Sequence, residues 1–435
     1  PRDAYSPSLR VKGTVHVVGA GLAGLAAALR LADSGERVVL HEAAKAAGGR
    51  CRSYRDATLG LDIDNGNHLL LSGNQAAWAF LERIGGMDAM SIAPEAAFDF
   101  ADLRTQERWR LRPNAGRLPW WILFPSRRAP GTRVADYLAP LAILRAPPMA
   151  TIGSVMACEG ALWERLWHPV LVAALNTDPA EATAGLAARI LRETLGAGGN
   201  ACRPMIATGG LSAAFVTPTL DALAARGAEI RLGARLRALT IVDGRVTHAL
   251  FADGEVALGP EDRMVLAVPA WVAAELIPDL PVPTEHRAIV NAHYAIPPAP
   301  GQPALLGIVG GVTEWLFAYP DRVSVTISAA DRLLDIPREE LAATIWREIA
   351  PFCGAGDAMP PWQLVREKRA TFAATPAMEK LRPGAATRFE NLALAGDWTA
   401  TGLPATIEGA IRSGNAAADL LQRNSGALAV PVAKA

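Results

Sequence analysis

The sequence has no surplus of charge of one sign. It sets 43 Lys and Arg against 43 Asp and Glu, and a chain without a basic field is a poor match for nucleic acid. Cysteine is scarce. Cys51, Cys158, Cys202 and Cys353 form no CxxC pair, so neither a metal site nor a disulfide framework is encoded locally, and free thiols in a reducing cytoplasm are the expectation. A membrane-spanning run is missing too: the longest charge-free stretch, Ala288 to Thr313, is broken by Pro297, Pro298, Pro300 and Pro303. The opening PRDAYSPSLRVKGTVHVV has no apolar core of the signal-peptide kind, so none is expected there. What is abundant is apolar residues, 51% of the chain, together with 39 Gly and 32 Pro. That mixture excludes a coiled coil or a disordered chain and leaves a globular, turn-rich protein of two or three domains.

Val15 to Val18 reads as a short strand, the Ala- and Leu-rich run Leu22 to Ala32 as a buried helix, and Arg37 to Leu40 as a second strand ending at His41-Glu42, a βαβ start. From Glu229 onward, short β-prone runs separated by Asp243-Gly244 and Asp253-Gly254 predict a three-stranded meander, followed by a buried strand at Met264 to Val268. A last strand, Leu392 to Leu394, runs into Gly396-Asp397, and a helix follows from about Glu408 to Leu421. Two blocks rich in Trp, Pro and Leu lie between these pieces and read as insertions that build a second domain.

The strongest local signal is Gly19-Ala20-Gly21-Leu22-Ala23-Gly24, set directly between a strand and a helix. Gly19 permits the tight turn, Gly21 lets the backbone approach a diphosphate, and Gly24 allows helix to pack on strand; the helix N-terminus turns free N–H groups toward the phosphates. Glu42 ends the next strand 18 residues past Gly24, where a carboxylate accepts ribose hydroxyls. A dinucleotide is the ligand this arrangement predicts.

Gly48-Gly49-Arg50, within Ala47 to Ser53, resembles the run that follows the acidic residue in FAD enzymes of the amine oxidase and carotenoid desaturase superfamily. Far downstream, Gly396-Asp397-Trp398, Thr406-Ile407-Glu408-Gly409 and Ser413-Gly414 resemble that superfamily's C-terminal flavin motif. With Asp64 to Gly73, Leu175-Asn176-Thr177, Gly209-Gly210-Leu211-Ser212 and Lys368 to Phe372, the chain is similar to the hydroxysqualene dehydroxylases from about Thr14 to Leu421. The resemblance implies an α/β fold: a Rossmann-type FAD-binding domain of the glutathione-reductase and amine-oxidase kind, assembled from separated segments, plus a mixed α+β substrate domain. The FAD-binding domain is assigned to 13–85, 205–290 and 385–424, the substrate domain to 86–204 and 291–384, and a flexible tail to 425–435. The cofactor-binding residues it implies are Gly19, Gly21, Leu22, Ala23, Gly24, Glu42, Gly48, Gly49, Arg50, Gly66, Asn67, His68, Leu236, Gly396, Asp397, Thr406 and Ile407; no metal is implied.

The implied reaction is reductive removal of the hydroxyl of hydroxysqualene to give squalene in hopanoid or triterpene synthesis, by protonation, loss of water and hydride delivery from reduced FAD. Only one Gly-rich dinucleotide turn is present, so the electrons are expected from an external donor. His68 and His293 are the candidate proton donors, with Glu159 and Asp178 behind them; a single histidine in such a place is more often a satisfied structural residue. Leu118 to Pro125, beside Arg127 and Arg128, reads either as a peripheral membrane contact at the inner face of the cytoplasmic membrane or as a buried piece of the substrate domain. Trp163 and Trp167, four apart, suit core packing or a tunnel wall. The rival readings are a carotenoid or phytoene-type desaturase and a non-catalytic prenyl-lipid escort. Amine oxidation is disfavoured, because Ile289 to Tyr294 offers no lysine.

Overall fold

Val15, Val17 and Val18 are β-branched and nearly fully buried, as a strand covered on both faces requires. In the computed structural model, which describes residues 13–427, the strand Thr14–Val18 is the centre of a five-stranded parallel sheet. Its order is Glu229–Leu232, Arg37–Glu42, Thr14–Val18, Arg263–Leu266 and Leu392–Leu394. The helix Leu22–Asp33 is buried almost all round, which suits its run of Ala and Leu. It packs on the sheet beside the C-terminal helix Ile407–Ala427, which itself touches the strands Leu392–Leu394 and Arg263–Leu266. A Cβ on Gly414 would fall 2.1 Å from the Ala23 carbonyl oxygen, and Arg30 pairs with Asp419, so the two helices run parallel and in close contact.

The run from Glu229 is not one strand of a meander. Gly233, at φ +78°, turns the chain, and its N–H donates to the Ala44 carbonyl at 2.9 Å. This splits off Glu229–Leu232, which joins the parallel sheet, and leaves Leu236–Val242, Arg245–Phe251 and Gly254–Ala257 as the meander. Of the tail assigned to 425–435, residues 425–427 continue the C-terminal helix, and 428–435 lie outside the described residues, as do residues 1–12 of the opening stretch.

A seven-stranded mixed sheet forms the second layer system, in the order Trp362–Phe372, His286–Tyr294, Val323–Ile327, Trp315–Ala318, Leu305–Val309, Phe98–Asp102 and Arg108–Leu111. Strand alternation divides its residues between two faces. Val290, Ala292, Tyr294, Leu316 and Val325 pack on the helix Arg338–Ile349 around Trp346. The opposite face carries Asn291, His293, Ser324 and Thr326 beside Phe100, Trp109, Trp315 and Phe317. Trp163 and Trp167 are buried in the core on that side. Two domain boundaries need correction. The division at 290/291 cuts the strand His286–Tyr294, which belongs whole to the seven-stranded sheet. The division at 204/205 cuts Pro204–Ile206, which pairs with both Leu69–Leu71 and Ser91–Ile92. Composition shifts mark insertions only coarsely, whereas hydrogen-bond ladders run through them.

His16 and His41 are neighbours in the parallel sheet, with His16 Nδ1 3.1 Å from His41 Nε2, and His41 stacks on Phe251 of the meander with ring centroids 4.2 Å apart. Burial pushes both imidazoles down, His41 to about 4. An unfolded chain takes up these protons near pH 6.5 and the folded chain does not, so stability present above that pH is lost as pH falls toward 4. His41 alone accounts for about 3 kcal/mol across that window. The melting temperature should therefore fall between about pH 6.5 and about pH 4, and in His41→Phe the fall should be visibly shallower. An equal slope in the two proteins would remove this account.

Candidate functional site

The ends of three parallel strands meet at the glycine turn. Gly19 adopts φ +104°, and a Cβ there would lie 2.4 Å from the carbonyl oxygen of Ala267, just beyond the strand Arg263–Leu266. A Cβ on Gly24 would sit 1.8 Å from the Gly19 carbonyl oxygen, so only glycine fits where helix meets strand. A Cβ on Gly21 would meet nothing within 4 Å. Gly21 is the N-cap of the Leu22–Asp33 helix and supplies no side-chain cap, which leaves the amides of Leu22, Ala23 and Gly24 for an incoming acceptor. Gly48 and Gly49, at φ +108° and +57°, lay the second glycine loop onto this turn: the Gly48 N–H donates to the Ala20 carbonyl at 2.7 Å.

Glu42 is held at the strand end by the N–H groups of Ala20 (2.7 Å) and Ala44 (2.8 Å), each of which donates to one carboxylate oxygen. Each oxygen keeps a lone pair for a hydroxyl. Leu236, buried, opens the meander three residues after Gly233, next to the loop that follows Glu42. Arg50 joins motifs that lie 347 residues apart: its Nη2 is 2.7 Å from both oxygens of Asp397, and its Nη1 donates to the Ala370 carbonyl.

Arg382 organises the loop that carries Asp397. It is buried against Phe372 and donates to the carbonyls of Asp397 (3.2 Å), Trp398 (3.3 Å) and Thr399. Nothing local in the sequence marked it. Thr406 caps the C-terminal helix by accepting from Gly409 N–H at 3.0 Å, so the amides of Ile407 and Glu408 have no acceptor within the described residues. Glu408 itself faces elsewhere. Its carboxylate accepts from the N–H groups of Ala76 and Ala77 at 3.0 and 2.8 Å and so caps the helix Gln75–Ile84.

The run Gly66-Asn67-His68 docks on the polar end of the seven-stranded sheet. Asn67 Nδ2 donates to Thr326 Oγ1 at 3.1 Å, Thr326 donates to Asn291 Oδ1 at 2.8 Å, and the Tyr319 hydroxyl donates to Asn67 Oδ1 at 3.3 Å. Tyr319 and Thr326 were missed by sequence reasoning. Asn291, two residues from His293, shares its strand face by alternation and so was open to inference. His68, half-buried, is pushed down to about 4, by burial first and then by the Arg50 cation. His293 is fully enclosed, with Nδ1 2.8 Å from Ser324 Oγ and Nε2 unpartnered, and burial with the nearby Arg322 pushes it to about 3. Glu159 and Asp178 are exposed, and Asp178 accepts from Ala180 N–H in its own turn. Two of the runs that carry the resemblance, Leu175-Asn176-Thr177 and Lys368 to Phe372, clasp one another. Asn176, at φ +47°, donates to Thr371 Oγ1 at 2.9 Å and accepts from Ala329 N–H at 2.7 Å, and Thr177 Oγ1 accepts from Ala374 N–H at 2.9 Å.

The family model described as flavin containing amine oxidoreductase matches residues 22–422. The chain belongs to that family. It is 57% identical over 410 residues to a hydroxysqualene dehydroxylase of Rhodopseudomonas palustris, which covers 94% of this chain and 98% of the relative. A probable zeta-carotene desaturase of Synechococcus elongatus is 24% identical over 93% of this chain and 97% of that one. Among solved structures, cyclohexylamine oxidase from Brevibacterium oxydans shares the fold at TM-score 0.69 and 16% identity, with 95% of this chain and all of the other covered. This member of the flavin-containing amine oxidoreductase family is an FAD-dependent oxidoreductase. Its residues fit the cofactor: two helix N-termini with unpaired amides suit the diphosphate and the flavin edge, and Glu42 and Asp397 suit the hydroxyls.

Gly21→Ala tests the fit. Its methyl meets no protein atom, so the variant should melt within about 2 °C of wild type yet retain FAD at least about tenfold more weakly, a change of about 1.4 kcal/mol. Full retention measured by the flavin absorbance would contradict the placement. Glu408→Gln should do the reverse, losing about 1–3 kcal/mol of stability through the weakened buried cap while the flavin spectrum stays unchanged.

Proposed function

We propose that the protein reductively removes the hydroxyl of hydroxysqualene to give squalene. The observation that carries the reading is the 57% identity over almost the whole length to an enzyme of that name, more than twice the likeness to the carotenoid desaturase. The geometry is compatible with it. One wall beside Gly66-Asn67-His68 is polar, through Asn67, Asn291, Thr326 and Tyr319, and it continues on the same sheet face into Trp315, Phe317 and Phe100. A polar patch of that size suits one hydroxyl, and the aromatic wall suits a polyprenoid chain and keeps water from it.

The net change is an allylic alcohol plus a proton and a hydride to a hydrocarbon plus water. The C–O bond breaks with its electron pair leaving on the protonated oxygen, and a new C–H bond forms at that carbon. Bound FAD, once reduced, supplies the hydride. The reductant is external, since the one glycine-rich dinucleotide turn is given to FAD. Unpaired cysteines among the described residues support a cytoplasmic setting, and contact with a membrane through Leu118–Pro125 belongs to the same reading.

Of the two histidines, His68 is the proton donor in this proposal, because it lies in the run Gly66-Asn67-His68 that the resemblance assigns to the cofactor and is only half-buried. His293 is locked to Ser324 and positions the sheet face. An imidazole with a pKa of about 4 is a strong acid that is rarely charged at neutral pH. The single-turnover rate should therefore rise as pH falls toward about 4 in wild type and lose that dependence in His68→Ala.

The deciding experiment is one turnover of chemically reduced holoprotein with hydroxysqualene under anaerobic conditions. The expected product has lost one oxygen and kept every other heavy atom. A product that has lost hydrogens instead marks a desaturase, and an unchanged alcohol with no flavin oxidation marks a carrier. Fast stoichiometric bleaching of the flavin by NADPH alone would identify the external donor as a nicotinamide and remove the need for a separate reductase or quinol.

A further inference from the structure

Ten large apolar side chains are exposed among the described residues, and seven of them fall between 118 and 149, with Leu118 at 80%, Leu123 at 61% and Leu138 at 55%. So many in one block is more than the scatter normal for a surface. The segment 112–149 also holds Arg112, Arg117, Arg127, Arg128, Arg133 and Arg145 against the single acid Asp136, in a chain whose net charge is zero.

The block is built to hold this face outward. Trp121 is buried and packs edge-on against Tyr137 with centroids 5.3 Å apart. The expectation that the whole Leu118 to Pro125 stretch is either surface or core is thereby corrected: it is both, with Trp121 as the anchor. Tyr137 Oη accepts from Ala129 N–H at 2.9 Å, and Arg128 donates to the Ile122 carbonyl at 3.1 Å, which ties the turns together. On the outside, Trp120 meets Phe124 edge-on at 5.8 Å, and the Arg127 guanidinium lies 5.0 Å from the Trp120 ring. The block also abuts the site. Gly199 N–H donates to the Asn114 carbonyl at 2.8 Å, the next carbonyl, of Asn200, accepts from Ser72 Oγ at 2.7 Å, and Gly73 N–H donates to the Ala201 carbonyl at 2.8 Å. Ser72 and Gly73 close the run that starts at Gly66.

We propose that the 112–149 block docks the protein on an anionic lipid bilayer, with Leu118, Trp120, Leu123 and Phe124 dipping into the headgroup boundary and the arginines on lipid phosphates. Charge selects this occupant. A two-fold contact with a second copy would set the same cationic surplus against itself. No helix among the described residues is long and apolar enough to cross a membrane, so the contact is peripheral. The proposal rests on the hydroxysqualene reading only for its purpose, delivery of a bilayer-resident substrate beside the run 66–73.

The test is co-sedimentation of holoprotein with vesicles of phosphatidylcholine alone and of phosphatidylcholine mixed with phosphatidylglycerol. Wild type should bind the anionic vesicles and release in high salt. Trp120→Ser/Leu123→Ser/Phe124→Ser should bind at least about tenfold more weakly, and Arg117→Gln/Arg145→Gln should lose about fivefold per arginine on anionic vesicles. Unchanged flavin absorbance and melting show that the variants are folded, and turnover of detergent-dispersed hydroxysqualene, measured separately, should stay at the wild-type rate. Full sedimentation of the triple variant overturns the proposal. So does wild type that ignores both vesicles, and so does a dimer that the triple variant dissociates without any vesicle binding. Failure of turnover with intact vesicle binding would sink the substrate reading and leave the docking face standing.

Discussion

Two parallel helices present their unpaired N-terminal amides at the same edge of one sheet, and the rest of the architecture serves that arrangement. Ala23 against Gly414 and Arg30 against Asp419 fix the register, so the positive ends of both dipoles point the same way, with the C-terminal helix starting about two turns ahead of the first. Like ends repel, and buried N–H groups without acceptors are costly. The Thr406 hydroxyl satisfies one donor of the second helix; the first helix has no side-chain cap at all. An anionic ligand resolves both difficulties at once. This is a physical reason for FAD that does not depend on likeness to other proteins.

The same constraint explains which glycines are irreplaceable. Gly24 and Gly414 set the distance of the first helix from the sheet on one side and from the C-terminal helix on the other, since a methyl at either would collide with a backbone carbonyl. Gly21 faces open space and is spared by the protein itself; its restriction comes from the ligand. Glycines in one short motif therefore do different jobs, packing in one case and access in the other.

The parallel sheet and its glycine turn were legible because every cue is local: an apolar run, three glycines, an Ala-rich helix and a carboxylate follow one another within 30 residues. The C-terminal motif was legible as a pattern, but the role of each side chain in it was not. Glu408 lies at the start of a helix near the flavin motif, and only the tertiary fold shows that its carboxylate reaches the end of another helix 331 residues earlier. Arg382 had no cue, because its role is to collect carbonyl oxygens that become neighbours only after folding. The structural role of Asn176 and Thr177 was hidden for the same reason: a short run shows nothing of a clasp when its partner strands are not yet known.

The ion pair between Arg50 and Asp397 bears on the proposed chemistry as well as on binding. Loss of water from an allylic alcohol leaves a carbocation, and an unpaired guanidinium nearby in a medium of low effective dielectric would raise its energy. Asp397, with both oxygens on the Arg50 Nη2, cancels most of that field. Once His68 has given up its proton it is neutral, and burial with the nearby Arg322 holds His293 neutral, so neither imidazole repels the cation. On the sheet face next to Asn67 the positive charge would meet aromatic rings, Trp315 and Phe317, whose π-faces attract cations. A site for this reaction has to grip an anionic cofactor with positive groups and yet stay hospitable to a cation, and pairing Arg50 with the Asp397 carboxylate serves both needs.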